Sequence, residues 1–264
     1  MRVAALVLAG SRGAGDPVAA AAGVSHKALA PVAGRPMLAR VLETLAAVPA
    51  VERVAVMIEE PDLLVADPAL RDAVGEERVT VLPAAASPSL SALDGFDALG
   101  RAERRPIVMT TADNCLLTPE MLESFLARLP DADAVAALAR AEVIRDAYPE
   151  AVRTWLRFSD GHRSGCNLFA FLTPGAARAI AYWRRLERER KRPLAMLRHL
   201  GPGAILRYAA GRLSLAQALE ALGRRAGARL GAVDMPFAEA AIDVDKVADM
   251  ALAERVLAAR EASP

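Results

Sequence analysis

The chain has 264 residues, 54% of them apolar, and a formal net charge of +1. Leucine, valine and isoleucine are plentiful enough to exclude a disordered chain, and the near-neutral charge gives no global attraction to nucleic acid or to an anionic membrane. Two cysteines, Cys115 and Cys166, exclude a disulfide framework, and no run of about 18 uninterrupted apolar residues marks a membrane span.

Val3–Ala9 reads as a strand buried on both faces, because it is a continuous apolar run without alternation; it is shorter than a signal-peptide core needs. It ends at Gly10. Residues 11–25, rich in Gly, Ala and Pro, read as a functional loop with a short helical turn. A helix follows from Pro36, with Met37, Val41, Leu42 and Leu45 as its apolar stripe. Val54–Ile58 and Val79–Leu82 are the next strands, with a helix over Leu63–Val74 between them. Ser89–Leu99 is a helix, and Pro106–Thr110 a strand that delivers Thr111-Ala-Asp-Asn114 at its carboxyl end. Such alternation predicts a Rossmann-like α/β fold: a mostly parallel sheet flanked by helices, with ligands bound beyond the strands' carboxyl ends. Further on we expect a helix over Pro119–Leu129, a strand over Ala132–Ala139 and a hairpin over Trp155–Phe171 broken at Asp160-Gly161. A long basic helix begins after Pro174, and Ile205–Leu222 forms a small helical accessory region. Ala241–Asp245 reads as a short strand and Val247–Arg260 as a closing helix. One domain over 1–264 is expected. It comprises a nucleotide-binding half (1–140), an acceptor-binding half (141–235) with a helical insertion at about 175–225, and a metal-site segment (236–264).

The turn Gly10-Ser-Arg-Gly-Ala-Gly15 has the composition of a phosphate cradle. Its glycines allow close approach of backbone N–H groups, and Arg12 and Lys27 add positive charge. It is not a P-loop, because no Gly-Lys-Ser/Thr follows, and it departs from Gly-x-Gly-x-x-Gly. Val7-Leu-Ala-Gly10 together with Lys27-Ala-Leu-Ala-Pro-Val-Ala-Gly-Arg-Pro-Met-Leu38 resembles the opening signature of the nucleotidyltransferase superfamily with a GT-A-like Rossmann fold. That superfamily includes molybdenum cofactor guanylyltransferases and sugar-phosphate nucleotidyltransferases. Two further blocks agree in order. Thr110-Thr-Ala-Asp-Asn114 resembles the strand end carrying a metal-binding aspartate, and Ile242-Asp-Val-Asp245 with Asp249 resembles the second metal site. The resemblance covers about 1–140 and 230–260.

It implies that Leu8, Ala9 and Gly10 face base and ribose, and that Ser11, Arg12, Gly13 and Lys27 meet the triphosphate. Asp113 and Asp245, with Asp243 beside them, would hold Mg²⁺, and Lys27, Asp113 and Arg12 would carry catalysis. The superfamily's loop runs Leu-Ala-Gly-Gly-x-Gly-x-Arg, whereas here Ser11 replaces a glycine and Gly15 stands where the arginine would be. The stretch from Pro83 through Ser87, Ser89 and Ser91 occupies the place where the superfamily reads the base. Asn114, Gly165 and Asn167 are assigned to the acceptor. The implied reaction is Mg²⁺-dependent transfer of a nucleoside monophosphate from an NTP to a phosphorylated small-molecule acceptor, in the cytoplasm. The rivals are a GT-A glycosyltransferase using a nucleotide sugar and a non-catalytic nucleotide-binding protein. The run 184–192 reads as a solvated helix face, since Glu187 and Glu189 interleave its arginines. The alternative weighed is a docking site for an anionic or lipid-linked acceptor, or peripheral membrane contact, through that run, helped by the nearby Trp183, Leu186, Met196 and Leu197. Nucleic acid is not expected there, because no stacking aromatics accompany the charge.

Overall fold

A computed structural model describes residues 1–11, 15–74, 78–103, 105–189, 199 and 201–262. In chain order it comprises β1 (Val3–Leu8), α1 (Pro17–Ala22), β2 (Pro31–Val32), β3 (Arg35–Pro36), α2 (Met37–Ala47), β4 (Val51–Ile58), α3 (Asp62–Ala66) and α4 (Pro68–Val74). There follow β5 (Val79–Pro83), α5 (Pro88–Glu103), β6 (Ile107–Thr111), α6 (Pro119–Ala127), β7 (Ala134–Arg140) and α7 (Ala141–Ala147). The chain then forms β8 (Leu156–Phe158), β9 (Gly161–Phe171), α8 (Ala176–Glu189), α9 (Pro202–Ala209), α10 (Leu215–Ala226), β10 (Leu230–Met235) and α11 (Val247–Ala262).

Seven strands of the main sheet run in the order β10-β7-β9-β6-β1-β4-β5, with β8 paired to β9. β1 is central and parallel to both β4 and β6, whereas β9 is antiparallel to β6, β7 and β8. The fold is therefore Rossmann-like α/β with one reversed strand. Alternate β1 side chains serve opposite faces. Val3, Ala5 and Val7 pack with Leu38, Val41 and Leu45 of α2 and Phe125 of α6, while Leu6 and Leu8 pack with Met57, Met109, Phe171 and Ile180 of α8. Both sets are excluded from water, which is why the strand reads as an unbroken apolar run. α5 lies close over β1. A Cβ on Gly95 would come within 2.4 Å of Leu6 Cδ1, so only glycine permits this spacing.

Two expectations need correction. The helix read over Leu63–Val74 is two short helices, because Asp67 leaves the helical path and its carboxylate accepts from Ala69 N (2.9 Å) and Leu70 N (3.4 Å), capping α4 ahead of Pro68. Ala241–Asp245 is not a strand. Glu239–Ala241 is a 3₁₀ turn, and the segment beyond it touches the sheet through Val244 N donating to Asp113 O (3.1 Å), with no ladder to extend. The patterning also missed α7 and β10. The latter is a short edge strand, parallel to β7 and mostly half-buried, containing Gly231 and Asp234.

Candidate active site

The carboxyl ends of β1, β4, β5 and β6 open on a cleft of about 610 Å³. Leu8, Ala9, Gly10 and Ser11 line it from β1, Met57 and Glu59 from β4, residues 84–88 with Leu90 and Ser91 from the turn into α5, and Thr111 to Asp113 from β6. Lys27, Asp245 and the end of α8 complete the wall. This is the rim at which an open parallel sheet presents its loops.

Ahead of α1, Asp16 is buried and its Oδ1 accepts from Val18 N (2.9 Å) and Ala19 N (3.2 Å), while Gly23 ends the helix at φ 67°. The loop after β1 is thereby anchored at its far side. On its near side Ser11 N donates to Glu59 Oε1 at 2.8 Å. A Cβ on Gly10 would lie 3.1 Å from that same oxygen, so glycine allows the turn to sit against the carboxylate. The readings of Arg12 and Gly13 fall outside the described residues.

Lys27 stands in a 3₁₀ turn, and its Nζ donates to Asp113 Oδ2 and Asp245 Oδ1, each at 2.6 Å. Burial pulls its pKa down, but the charges and hydrogen bonds of Asp113 and Asp245 outweigh this and leave it above the ordinary value. Thr111 Oγ1 donates to Asp113 Oδ1, fixing that carboxylate two residues past β6. Asp113, Asp243 and Asp245 each offer an oxygen within 4.8 Å of the others. Hard carboxylate oxygens at this spacing fit a divalent cation.

Asp243 is held differently. Arg153 Nη1 donates to its Oδ1 and to Ala241 O (3.2 Å), and Asn167 Nδ2 donates to its Oδ2 at 2.8 Å. Asn167 has φ 45°, at an irregularity in the β7–β9 register; such a bulge re-aims a side chain, and asparagine tolerates this conformation. Burial, followed by the charges of Asp113 and Asp245, raises the Asp243 pKa against the pull of Arg153. Arg153 Nη2 also donates to Asp249 Oδ1 (2.7 Å), and Asp249 Oδ2 accepts from Asp245 N (3.2 Å) and Lys246 N (3.0 Å). One buried guanidinium thus organises the segment that carries both carboxyl-terminal aspartates.

The structure does not bring every assigned residue to the cleft. Pro83 does not line it. Ser89 is fully buried, and its hydroxyl donates to Glu187 of α8 and shares a 3.2 Å contact with Ser87 Oγ. Ser91 Oγ accepts from Ala85 N (2.9 Å) and so shapes the turn while lining the cleft. Asn114 is buried away from the cleft. Its Nδ2 donates to Thr110 Oγ1 (3.1 Å) and Cys166 O (3.2 Å), tying β6 to β9. Gly165 is exposed on β9 with open space where a side chain would be. Sequence reasoning missed Glu59 and Arg153 and left Arg184, Glu187 and Arg188 as a solvated face. Glu59 carried a usable signal, standing one residue past a buried parallel strand. Arg153 carried none, since it lies in an irregular segment between α7 and β8.

Comparison with known proteins shows the family and the fold. Residues 5–204 match the model of the family described as the MobA-like NTP transferase domain. A hypothetical transferase from Thermus thermophilus is 30% identical, with 95% of this chain and 100% of that one covered and a TM-score of 0.78. Two structures at 14% identity share the fold. They are 4-diphosphocytidyl-2C-methyl-D-erythritol synthase from Anaerococcus prevotii (TM-score 0.57, 97% and 96% covered) and CMP:2-keto-3-deoxy-manno-octonic acid synthetase complexed with CTP (TM-score 0.55, 98% and 100% covered). Comparison with curated protein sequences gives no match. No helix among the described residues is long and apolar enough to cross a membrane. Spanning most of the chain and the whole of the β1, β4, β5 and β6 rim, the family match identifies this chain as a member of the MobA-like NTP transferase domain family and a nucleotidyltransferase.

Proposed function

We propose that the chain, acting as one domain in the cytosol, transfers a nucleoside monophosphate from an NTP to a phosphorylated small-molecule acceptor with release of pyrophosphate, and depends on Mg²⁺. The observation that carries this reading is the convergence of Asp113, Asp243, Asp245 and Lys27 beside the glycine turn after β1. An acceptor phosphate is already ionised at neutral pH and needs no protein base. A non-bridging oxygen bonds to the α-phosphorus, the bond from that phosphorus to the β-phosphate oxygen breaks, and pyrophosphate leaves with the electron pair.

Asp113 and Asp245 would hold Mg²⁺, with Asp243 adjoining, and the bound cation would offset the charge that accumulates as pyrophosphate departs. Lys27 holds the two ligating carboxylates at a common spacing and keeps its positive charge at the cleft floor. Leu8, Ala9 and Gly10 present backbone to base and ribose, and the 84–87 turn with Ser91 offers amides and hydroxyls to the base edge. Asn167 acts from β9 by orienting Asp243. A glycosyl transfer would leave Lys27 with no triphosphate to meet.

The test is pyrophosphate release by the pure protein with each of the four NTPs and a panel of phosphorylated acceptors, with Mg²⁺ and with EDTA. The expected result is release with one NTP and one acceptor class, abolished by EDTA. Release that is indifferent to chelation overturns the Mg²⁺ assignment, and no release across the panel overturns the acceptor class.

A further inference from the structure

The end of α8 enters the cleft. Arg184, Glu187 and Arg188 lie at i, i+3 and i+4, one face of a helix, and all three line the cavity that also holds Lys27 and Asp113. Their orientation is fixed from two sides. Ile180 is buried in the core and Trp183 stacks on Phe169 at 6.5 Å between ring centroids, which sets the rotation of α8. Ser89, at the start of α5, donates to the Glu187 carboxylate and holds this end of α8 at the rim.

Charge in the cleft then becomes decisive. Asp16, Glu59, Asp113, Glu187 and Asp245 line it as acids, and Lys27 is engaged by two of them. Glu59 further occupies the amide of Ser11 in the turn where a phosphate would be sought. Among the described residues, Arg184 and Arg188 are the other cations of the wall. Neither has an ion-pair or hydrogen-bond partner among the described residues, whereas most arginines of the described chain are bonded to a carboxylate or a carbonyl.

We propose that Arg184 and Arg188 form a phosphate-binding subsite of this cleft, supplying positive charge that Lys27 has committed to the carboxylates. The proposal rests on the nucleotidyl-transfer reading and extends it to a wall of the site that the loop after β1 does not form. Two planar guanidinium groups one turn apart suit the paired oxygens of a phosphate chain. Both substrates of the proposed reaction carry phosphate, so the experiment has an arm for each.

Dissociation constants of the tightest-binding NTP, its monophosphate and its nucleoside are measured with Mg²⁺ for the wild type, Arg184→Gln/Arg188→Gln, and Arg185→Gln as a control on the exposed side of α8. The acceptor KM is measured at saturating NTP. Loss of about 10–100-fold in triphosphate affinity, with nucleoside affinity unchanged and the control near wild type, supports the subsite and assigns it to the nucleotide's phosphates. A raised acceptor KM with unchanged triphosphate affinity supports it and assigns it to the acceptor's phosphate. Unchanged values for both substrates, or an equal loss for nucleoside and triphosphate, overturn it. A wild type that binds no triphosphate overturns the nucleotidyl-transfer reading itself, and this proposal with it; a wild type that binds triphosphate, with neither that affinity nor the acceptor KM altered in the double variant, overturns this proposal alone.

Discussion

Lys27 donates to Asp113 and Asp245 at equal distances, so its removal changes the charge and the spacing of two carboxylates at once. Lys27→Ala is expected to lower pyrophosphate release by roughly 10²–10³-fold, the usual cost of removing one group that stabilises developing charge. It should also weaken triphosphate binding more than monophosphate binding. Equal losses for the two nucleotides would place Lys27 away from the phosphates. The carboxyl-terminal aspartates can be ranked on the same grounds. Asp243 spends one oxygen on Arg153 and the other on Asn167, whereas Asp245 faces the Lys27 ammonium directly. Asp245→Asn should therefore raise the Mg²⁺ concentration needed for half-maximal activity well above the effect of Asp243→Asn. The reverse order, read from Mg²⁺ titrations of the two variants, would make Asp243 the principal ligand. That Lys27, Asp113 and Asp245 come together was legible in the sequence, because they stand in blocks that resemble those of the superfamily. The Arg153 clamp was not, because a guanidinium in a coil segment acquires its role only from the tertiary contacts around it.

At the scale of elements, the strands of the first half were readable because burial on both faces leaves no other residue choice, as the six buried positions of β1 show. The carboxyl-terminal elements were less readable. β10 is half-buried along most of its length and lacks both a continuous apolar run and alternation, and 241–245 is placed by a backbone bond to Asp113 and by the side chains of Arg153, Asn167, Lys27 and Asp249. Helix propensity is likewise overridden at Gly95 in α5, where alanine is the better helix former. A methyl group there would meet Leu6 Cδ1 at 2.4 Å and Cδ2 at 2.8 Å, and Leu6 is fully buried and flanked by β4 and β6. Gly95→Ala should then destabilise the protein by about 1–3 kcal/mol, since overpacking outweighs the roughly 1 kcal/mol that alanine gains in a helix. Urea unfolding decides it. A variant at least as stable as the wild type would show that α5 can lift off β1 at little cost.

For the molecule as a whole, the sheet holds together on its β10 side through charge as well as apolar packing. Arg140 and Arg163 face each other across β7 and β9, and Asp234 on β10 accepts from Arg163 Nε (2.7 Å), Arg163 Nη2 (3.1 Å) and Arg140 Nε (3.0 Å). At the opposite end of β7, Asp133 accepts from Thr173 Oγ1 (2.5 Å) and Arg229 N (2.7 Å), joining the start of β7 to the approaches of α8 and β10. Burial opposes the Asp234 charge, but Arg163 and Arg140 outweigh it and hold its pKa below the ordinary 3.8. The Thr173 hydroxyl and the Arg229 amide do the same for Asp133. Both groups bind protons more weakly folded than unfolded. Their stabilisation is therefore complete above the unfolded value of 3.8 and is lost as pH falls through the lower folded values. Asp234→Asn removes the acid and leaves two arginines opposed across neighbouring strands, one of them buried. The cost at pH 7 should be roughly 2–4 kcal/mol, somewhat under that of breaking a fully buried pair because Asp234 is partly solvated. Thermal unfolding of the wild type and Asp234→Asn between pH 7 and pH 3 checks this. The gap should begin to narrow below pH 3.8, where the unfolded chain takes up the proton that the folded carboxylate still refuses, and a gap that stays constant down to pH 3 would mean that Asp234 is not the charge holding this edge of the sheet.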